Sequence, residues 1–104
     1  MNIAVLTPER EIFHGTISSV KVPGVKGEFQ VLNNHAPIVS ALGNGKVEIV
    51  TATGGYTFFN LEAGVKQSGD ETGKKMIFQI EGGFIEVLNN EISLLVQGVS
   101  VSQL

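Results

Sequence analysis

The chain has no cysteine and no tryptophan, only three prolines among 104 residues, and few charged side chains, with Asp, Glu, Lys and Arg making up 16%. Without thiols there are neither disulfides nor thiolate-bound metals, a composition that suits a reducing compartment such as the cytosol. The seven basic residues are scattered, Lys74-Lys75 being the only adjacent pair, and the formal charge is −3 at a pI of about 5.2. That balance argues against nucleic acid as a partner. No apolar run is long enough to span a bilayer as a helix. Met1 to Leu6 is apolar but has no basic leader and is cut short by Pro8, so it reads as a first strand and not as a secretion signal.

What the chain does have is glycine. Thirteen of them fall between short β-branched and aromatic runs, which predicts a single all-β domain with many tight turns. A chain of this size buries about two thirds of its unfolded surface on folding, enough for one core without staples. Strands are expected at Ile3 to Val5, Ile17 to Val22, Lys46 to Thr53, Tyr56 to Leu61, Met76 to Ile80, Phe84 to Leu88 and Ile92 to Val96. Pro23-Gly24 has the residues of a type II turn, and Gly54-Gly55 reads as a hairpin between its flanking strands. Asn89-Asn90 suits the positive φ values of a two-residue hairpin loop. Gly82-Gly83 is expected to mark a bend or bulge.

Phe84-Ile85 and Leu94-Leu95-Val96 are apolar at successive positions, so those strands need cover on both faces, from a second sheet or from a partner. Glu62 to Lys75 is polar, carries three glycines and shows no periodicity. It reads as a long loop, flexible or functional. The expected organisation is a sandwich over residues 1–97 and a short tail over 98–104.

Residues Gly27 to Ile38 are the most informative stretch. Phe29 and Val31 alternate with Glu28 and Gln30, which predicts a strand with a carboxylate at its exposed start. Asn33-Asn34 turns the chain. Pro37 has no amide donor and holds Ala36 extended, so His35-Ala36-Pro37 should stand off the sheet, with His35 and Glu28 flanking one corner. A catalytic use of this pair would be general-base chemistry, but no nucleophile, elbow or oxyanion donor accompanies it. His14 and His35 are too far apart in sequence to announce a metal site, and His14 reads as a solvated turn residue. Gly43-Asn44-Gly45-Lys46 leads into a strand where a phosphate loop would lead into a helix. The prediction is a contact surface, with no catalytic, cofactor or metal residues.

Three segments in order resemble the epsilon subunit family of F-type ATP synthases (delta in mitochondria): Leu6-Thr7-Pro8-Glu9-Arg10-Glu11-Ile12-Phe13, Gly27-Glu28-Phe29 with His35-Ala36-Pro37, and Gly82-Gly83-Phe84-Ile85-Glu86-Val87. The resemblance implies a two-sheet β-sandwich and a non-catalytic rotor part, in the central stalk, that ties the gamma shaft to the membrane c-ring. It further implies a position peripheral to the membrane, on the cytoplasmic face of the bacterial inner membrane. Carried over residue by residue, Glu28 is a c-ring contact, and His35, Ala36 and Pro37 are contacts with gamma or the ring. Family members usually continue into two α-helices that brake rotation and in some bind a nucleotide. Gln97 to Leu104 is too short for a helical hairpin, so those roles are not carried over. The competing expectation is a free-standing sandwich that binds a peptide or carbohydrate through the 62–75 loop.

Overall fold

Two long strands, β2 (Glu11–Gly24) and β5 (Gly45–Asn60), run antiparallel and bend together, so that each belongs to both layers of a β-sandwich. The computed structural model describes residues 1–103, and among these there is no helix. The first layer runs in the order β4 (Ile38–Leu42), β8 (Gly82–Leu88), β9 (Glu91–Gln97), β1 (Asn2–Leu6), the first half of β2, the second half of β5, and β6 (Val65–Gly69). The second layer holds β3 (Gly27–Leu32), the rest of β2 and β5, β7 (Lys75–Ile80) and β10 (Ser100–Gln103). All neighbours are antiparallel except β1 and β9, which are parallel.

Alternation puts the apolar set inside. Ile3, Val5, Ile85, Val87, Ile92 and Leu94 from the first layer meet Val20, Val22, Val31, Val47, Ile49 and Ile80 from the second, each 2% exposed or less. A single unbroken alternation could not serve both layers, because a strand that crosses a corner must change which parity faces inward. In β2 the inward positions switch from Phe13, Gly15 and Ile17 to Val20 and Val22, across register shifts between Gly15 and Ser19. In β5 they switch from Val47, Ile49 and Thr51 to Tyr56, across Gly54 and Gly55 at φ 134° and 81°. The expected hairpin at Gly54-Gly55 is therefore a corner inside one strand. Its partner throughout is β2, and a β-carbon on Gly15 would lie only 2.5 Å from that of Tyr56.

Other local readings shift for similar reasons. His14 lies in β2, not in a turn, paired with Ala4 and Thr57 and exposed on the outer face. The turn expected at Pro23-Gly24 falls at Val25-Lys26, because Pro23 pairs with Glu28 and Gly24 with Gly27 as strand residues. Gly82-Gly83 keeps regular register against Val96 and Gln97 and forms no bulge. The hairpin at Asn89-Asn90 is as expected, with φ of 52° and 63°.

The segment from Glu62 to Lys75 is not a long loop. Val65–Gly69 forms β6 against Tyr56–Asn60, a strand with no alternation to read because it is exposed on both faces except at Gly69. Asn60 closes the turn before it, its Oδ1 accepting from the amides of Glu62 and Ala63 at 3.0 Å. The stretch after it is tied to buried Thr51. The Thr51 hydroxyl donates to the Glu71 carbonyl at 2.6 Å and accepts from the Lys74 amide at 2.9 Å. The expected tail also rejoins the sheet, since Ser100–Gln103 pairs with β7. Four residues with one large apolar side chain before Leu104 carry too little pattern to announce a strand.

Tyr56 stacks on Phe13 with ring centroids 5.6 Å apart and donates its hydroxyl to Glu71 Oε1 at 2.6 Å. Burial, then the bond to Glu71 and the nearby charges of Glu71 and Asp70, push its pKa from 10.0 up to about 12. The same hydroxyl is the main reason the Glu71 carboxyl sits below its usual range. Because the folded state favours the neutral phenol, this contribution is complete below pH 10 and is lost as pH rises through about 12. The Glu71 contribution is present above the ordinary carboxylate range and is lost as pH falls through the depressed value. Tyr56→Phe is expected to cost about 1 kcal/mol at pH 7. In urea melts repeated between pH 9 and 12, wild type should lose stability more steeply than the variant. Parallel curves would remove the phenol from the account.

Candidate partner interface

β3 places the candidate contact residues. Val31 is fully buried and Phe29 packs partly against the core, which fixes the strand and leaves Glu28, Gln30 and Leu32 exposed. Beyond it, the His35 amide donates to the Leu32 carbonyl at 3.1 Å. His35 Nδ1 lies 2.7 Å from the Ala36 carbonyl, an acceptor that selects the tautomer with hydrogen on Nδ1. Ala36 and Pro37 are exposed, and β4 starts at the next residue.

An asparagine cluster holds this corner. Asn34, at φ 63°, donates its amide to Asn90 Oδ1 at 2.8 Å, and Asn90 Nδ2 donates to Asn33 Oδ1 at 2.9 Å. The β3–β4 connection is thereby tied to the β8–β9 turn.

Glu28 and His35 do not flank one corner. Glu28 sits beside the Val25-Lys26 turn, and four strand steps separate it from Leu32, about 13 Å at 3.3 Å per residue. His35 lies past the other end. The error comes from treating the twelve residues as a local unit, when a straight strand separates its two ends. Nor does any group of three His, Asp or Glu gather among the described residues.

The outer face of the first layer carries what sequence reasoning left open. Register aligns Ala41, Phe84, Leu95 and Leu6 in one row across β4, β8, β9 and β1. Phe84 is 57% exposed, Leu95 51% and, in the next row, Val39 72%. A shallow groove lined by Leu6, Pro8, Phe84 and Leu95 runs along it. The doubled apolar positions of β8 and β9 thus have one cover and not two: Ile85, Leu94 and Val96 face the core, while Phe84 and Leu95 face out. Glu86 and Glu91 are exposed on the same strands.

The second layer differs. Its outward positions include Lys21, Gln30, Lys46 and Glu48. Glu48 pairs with Lys75 at 2.9 Å, and that bond, with the charges of Lys21 and Lys46, holds its carboxyl below the usual range. Among the described residues, the first layer carries Phe84 and Leu95 outward where the second carries these charges.

Residues 1–68 match the family described as ATP synthase, Delta/Epsilon chain, beta-sandwich domain. The chain belongs to this family. It is similar to the ATP synthase epsilon chain of Chlorobaculum tepidum, 38% identical over 96 residues that cover 92% of this chain and 88% of the relative. It is also similar to that of Leptospira borgpetersenii, 36% identical over 95 residues, 91% of this chain and 59% of the relative. The chain therefore spans nearly all of some members and under two thirds of others. Among solved structures, one chain of the Euglena gracilis mitochondrial ATP synthase superposes with a TM-score of 0.68 at 18% identity, covering 95% of this chain and 51% of that one. A chain of the Tetrahymena thermophila central stalk and c-ring assembly superposes at 0.66 and 18%, covering 97% and 66%. At that identity the likeness is one of fold. The epsilon-type sandwich is thus shared.

Proposed function

We propose that this chain is a non-catalytic rotor subunit of an F-type, proton-translocating ATP synthase. In this reading it joins the gamma shaft to the c-ring on the cytoplasmic face of the bacterial inner membrane, peripheral to the bilayer. The observation that carries the proposal is the open apolar row of the first layer, a surface that water disfavours and a protein partner would cover. Membership in a family whose relatives are named ATP synthase epsilon chain supports gamma as that partner. The sandwich, β10 included, acts as a stiff body, because its two layers share one close-packed core and move together under shear.

The contact residues divide between the two partners. Pro37 leads directly into β4, whose Val39 stands on the apolar face, which supports His35, Ala36 and Pro37 as gamma contacts. Glu28 lies at the opposite end of β3, beside a charged turn, and is assigned to the polar side of the ring. Co-expression with the cognate gamma subunit tests the reading: a complex should survive gel filtration at micromolar concentration, and its absence would sink the proposal. Glu28→Lys should weaken ring binding several-fold at low salt and leave gamma binding and Tm unchanged, since an exposed ion pair is worth about 0 to 1 kcal/mol and is screened by salt. Equal ring affinity of variant and wild type at low salt would remove Glu28 from the contact.

A further inference from the structure

Where β5 ends and the chain passes from β9 to β10, Ile12, Phe59, Leu61 and Val99 line a groove of about 340 Å³. The same four residues also wall a smaller cavity of about 40 Å³, which reaches Phe58 and Met76. Glu9 and Arg10, both exposed, stand at the groove. A turn fixes the Arg10 backbone, its amide donating to Thr7 Oγ1 at 3.1 Å and its carbonyl accepting from the Thr7 amide at 2.9 Å. The guanidinium lies over Phe59, 4.2 Å from the ring centroid. Such a contact uses the charge of the cation and leaves its N–H donors to other acceptors. Among the described residues no carboxylate pairs with Arg10, and the neighbouring Glu11 is engaged by Lys66 at 3.9 Å.

We propose that this groove binds the anion of a medium-chain fatty acid, with the carboxylate on Arg10 and the chain along Ile12, Phe59, Leu61 and Val99. Small-molecule sites are concave and mostly apolar, with a few polar groups that fix orientation, and a groove of this size has room for a chain of about eight carbons. A single chain fits such a recess, whereas a bilayer surface would not enter it. The unpaired cation selects the head group, because a guanidinium fork matches a carboxylate with two parallel hydrogen bonds. Glu9 works against an anion and so limits the affinity. The inference does not depend on the rotor reading.

The test titrates the isotope-labelled full chain with sodium octanoate and, separately, with octyltrimethylammonium, which carries the same tail under the opposite charge, and follows amide shifts by NMR. Octanoate should move the amides of Arg10, Leu61, Gly64 and Gly98 and bind at least about fivefold tighter than the cation. Arg10→Leu should weaken octanoate about tenfold and Arg10→Lys less, since lysine keeps the charge and loses the fork. Glu9→Gln, at an exposed carboxylate, should tighten it about twofold and gives a second reading should Arg10→Leu fold poorly. If millimolar octanoate leaves those amides unmoved, or the cationic chain binds equally well, the site is overturned. Shifts confined to Phe84 and Leu95 and retained in Arg10→Leu would place the chain on the exposed row and overturn it too. Gamma binding is measured separately, so either of these results leaves the rotor reading standing.

Discussion

Gly83→Ala should leave the protein unfolded or destabilise it by about 4 kcal/mol or more, which is most of the stability of an ordinary small domain. Gly83 has a φ of 151°, a conformation that L side chains rarely adopt, and a β-carbon there would lie 2.1 Å from the Leu95 carbonyl oxygen and 2.9 Å from the Val96 α-carbon. Both obstacles are backbone. They belong to β9, which is held between β8 and β1, so no rotamer change relieves the overlap and the sheet itself must open. Gly82→Ala is the internal control. Its nearest neighbour would be the Leu42 carbonyl at 3.5 Å, ordinary contact, and the cost should stay below about 1 kcal/mol. Urea midpoints of the two variants measure the contrast, and similar midpoints would refute the packing argument.

Leu95→Asp, alone or with Phe84→Asp, should reduce association with gamma more than a hundredfold while leaving the isolated protein folded. Both side chains are more than half exposed here, so the fold has little to lose. In a complex each contributes about 1 to 1.5 kcal/mol of further apolar burial, and the substituted carboxylate adds the larger penalty of an unpaired buried charge. Effects of that size at the centre of an interface are what separate a few dominant side chains from their neighbours. Glu48→Gln, on the outer face of the second layer, should change gamma affinity less than threefold, since losing an exposed pair costs little. Gel filtration for the gross defect and titration calorimetry for the affinities would check this. An affinity for gamma within tenfold of wild type in Leu95→Asp would move the contact off this row.

The sequence was most legible where causes are local. Asn89-Asn90 turns as its composition predicts because left-handed geometry is a property of those two residues. Alternation located the strands that bury one face, as in Met76-Ile77-Phe78-Gln79-Ile80. It failed at Val65 to Gly69, where neither face is buried and so no pattern is written. It also misread Gly54-Gly55, since two glycines between strand-like runs serve a hairpin and a corner equally well. Whether such a pair reverses the chain or only bends it depends on whether a second strand, here β2, bends with it.

Composition and periodicity by themselves determined an all-β domain without thiol chemistry, and the three motifs determined its family, because these follow from residues close together in the chain. The three-dimensional arrangement alone decided the rest: that Glu28 and His35 stand at opposite ends of β3, that β1 lies parallel to β9, and that Leu6, Leu95, Phe84 and Ala41 line up as one open row. Those facts depend on register between strands up to about ninety residues apart. A pairing of that range is set by how two layers close around one core, and no window of sequence contains it.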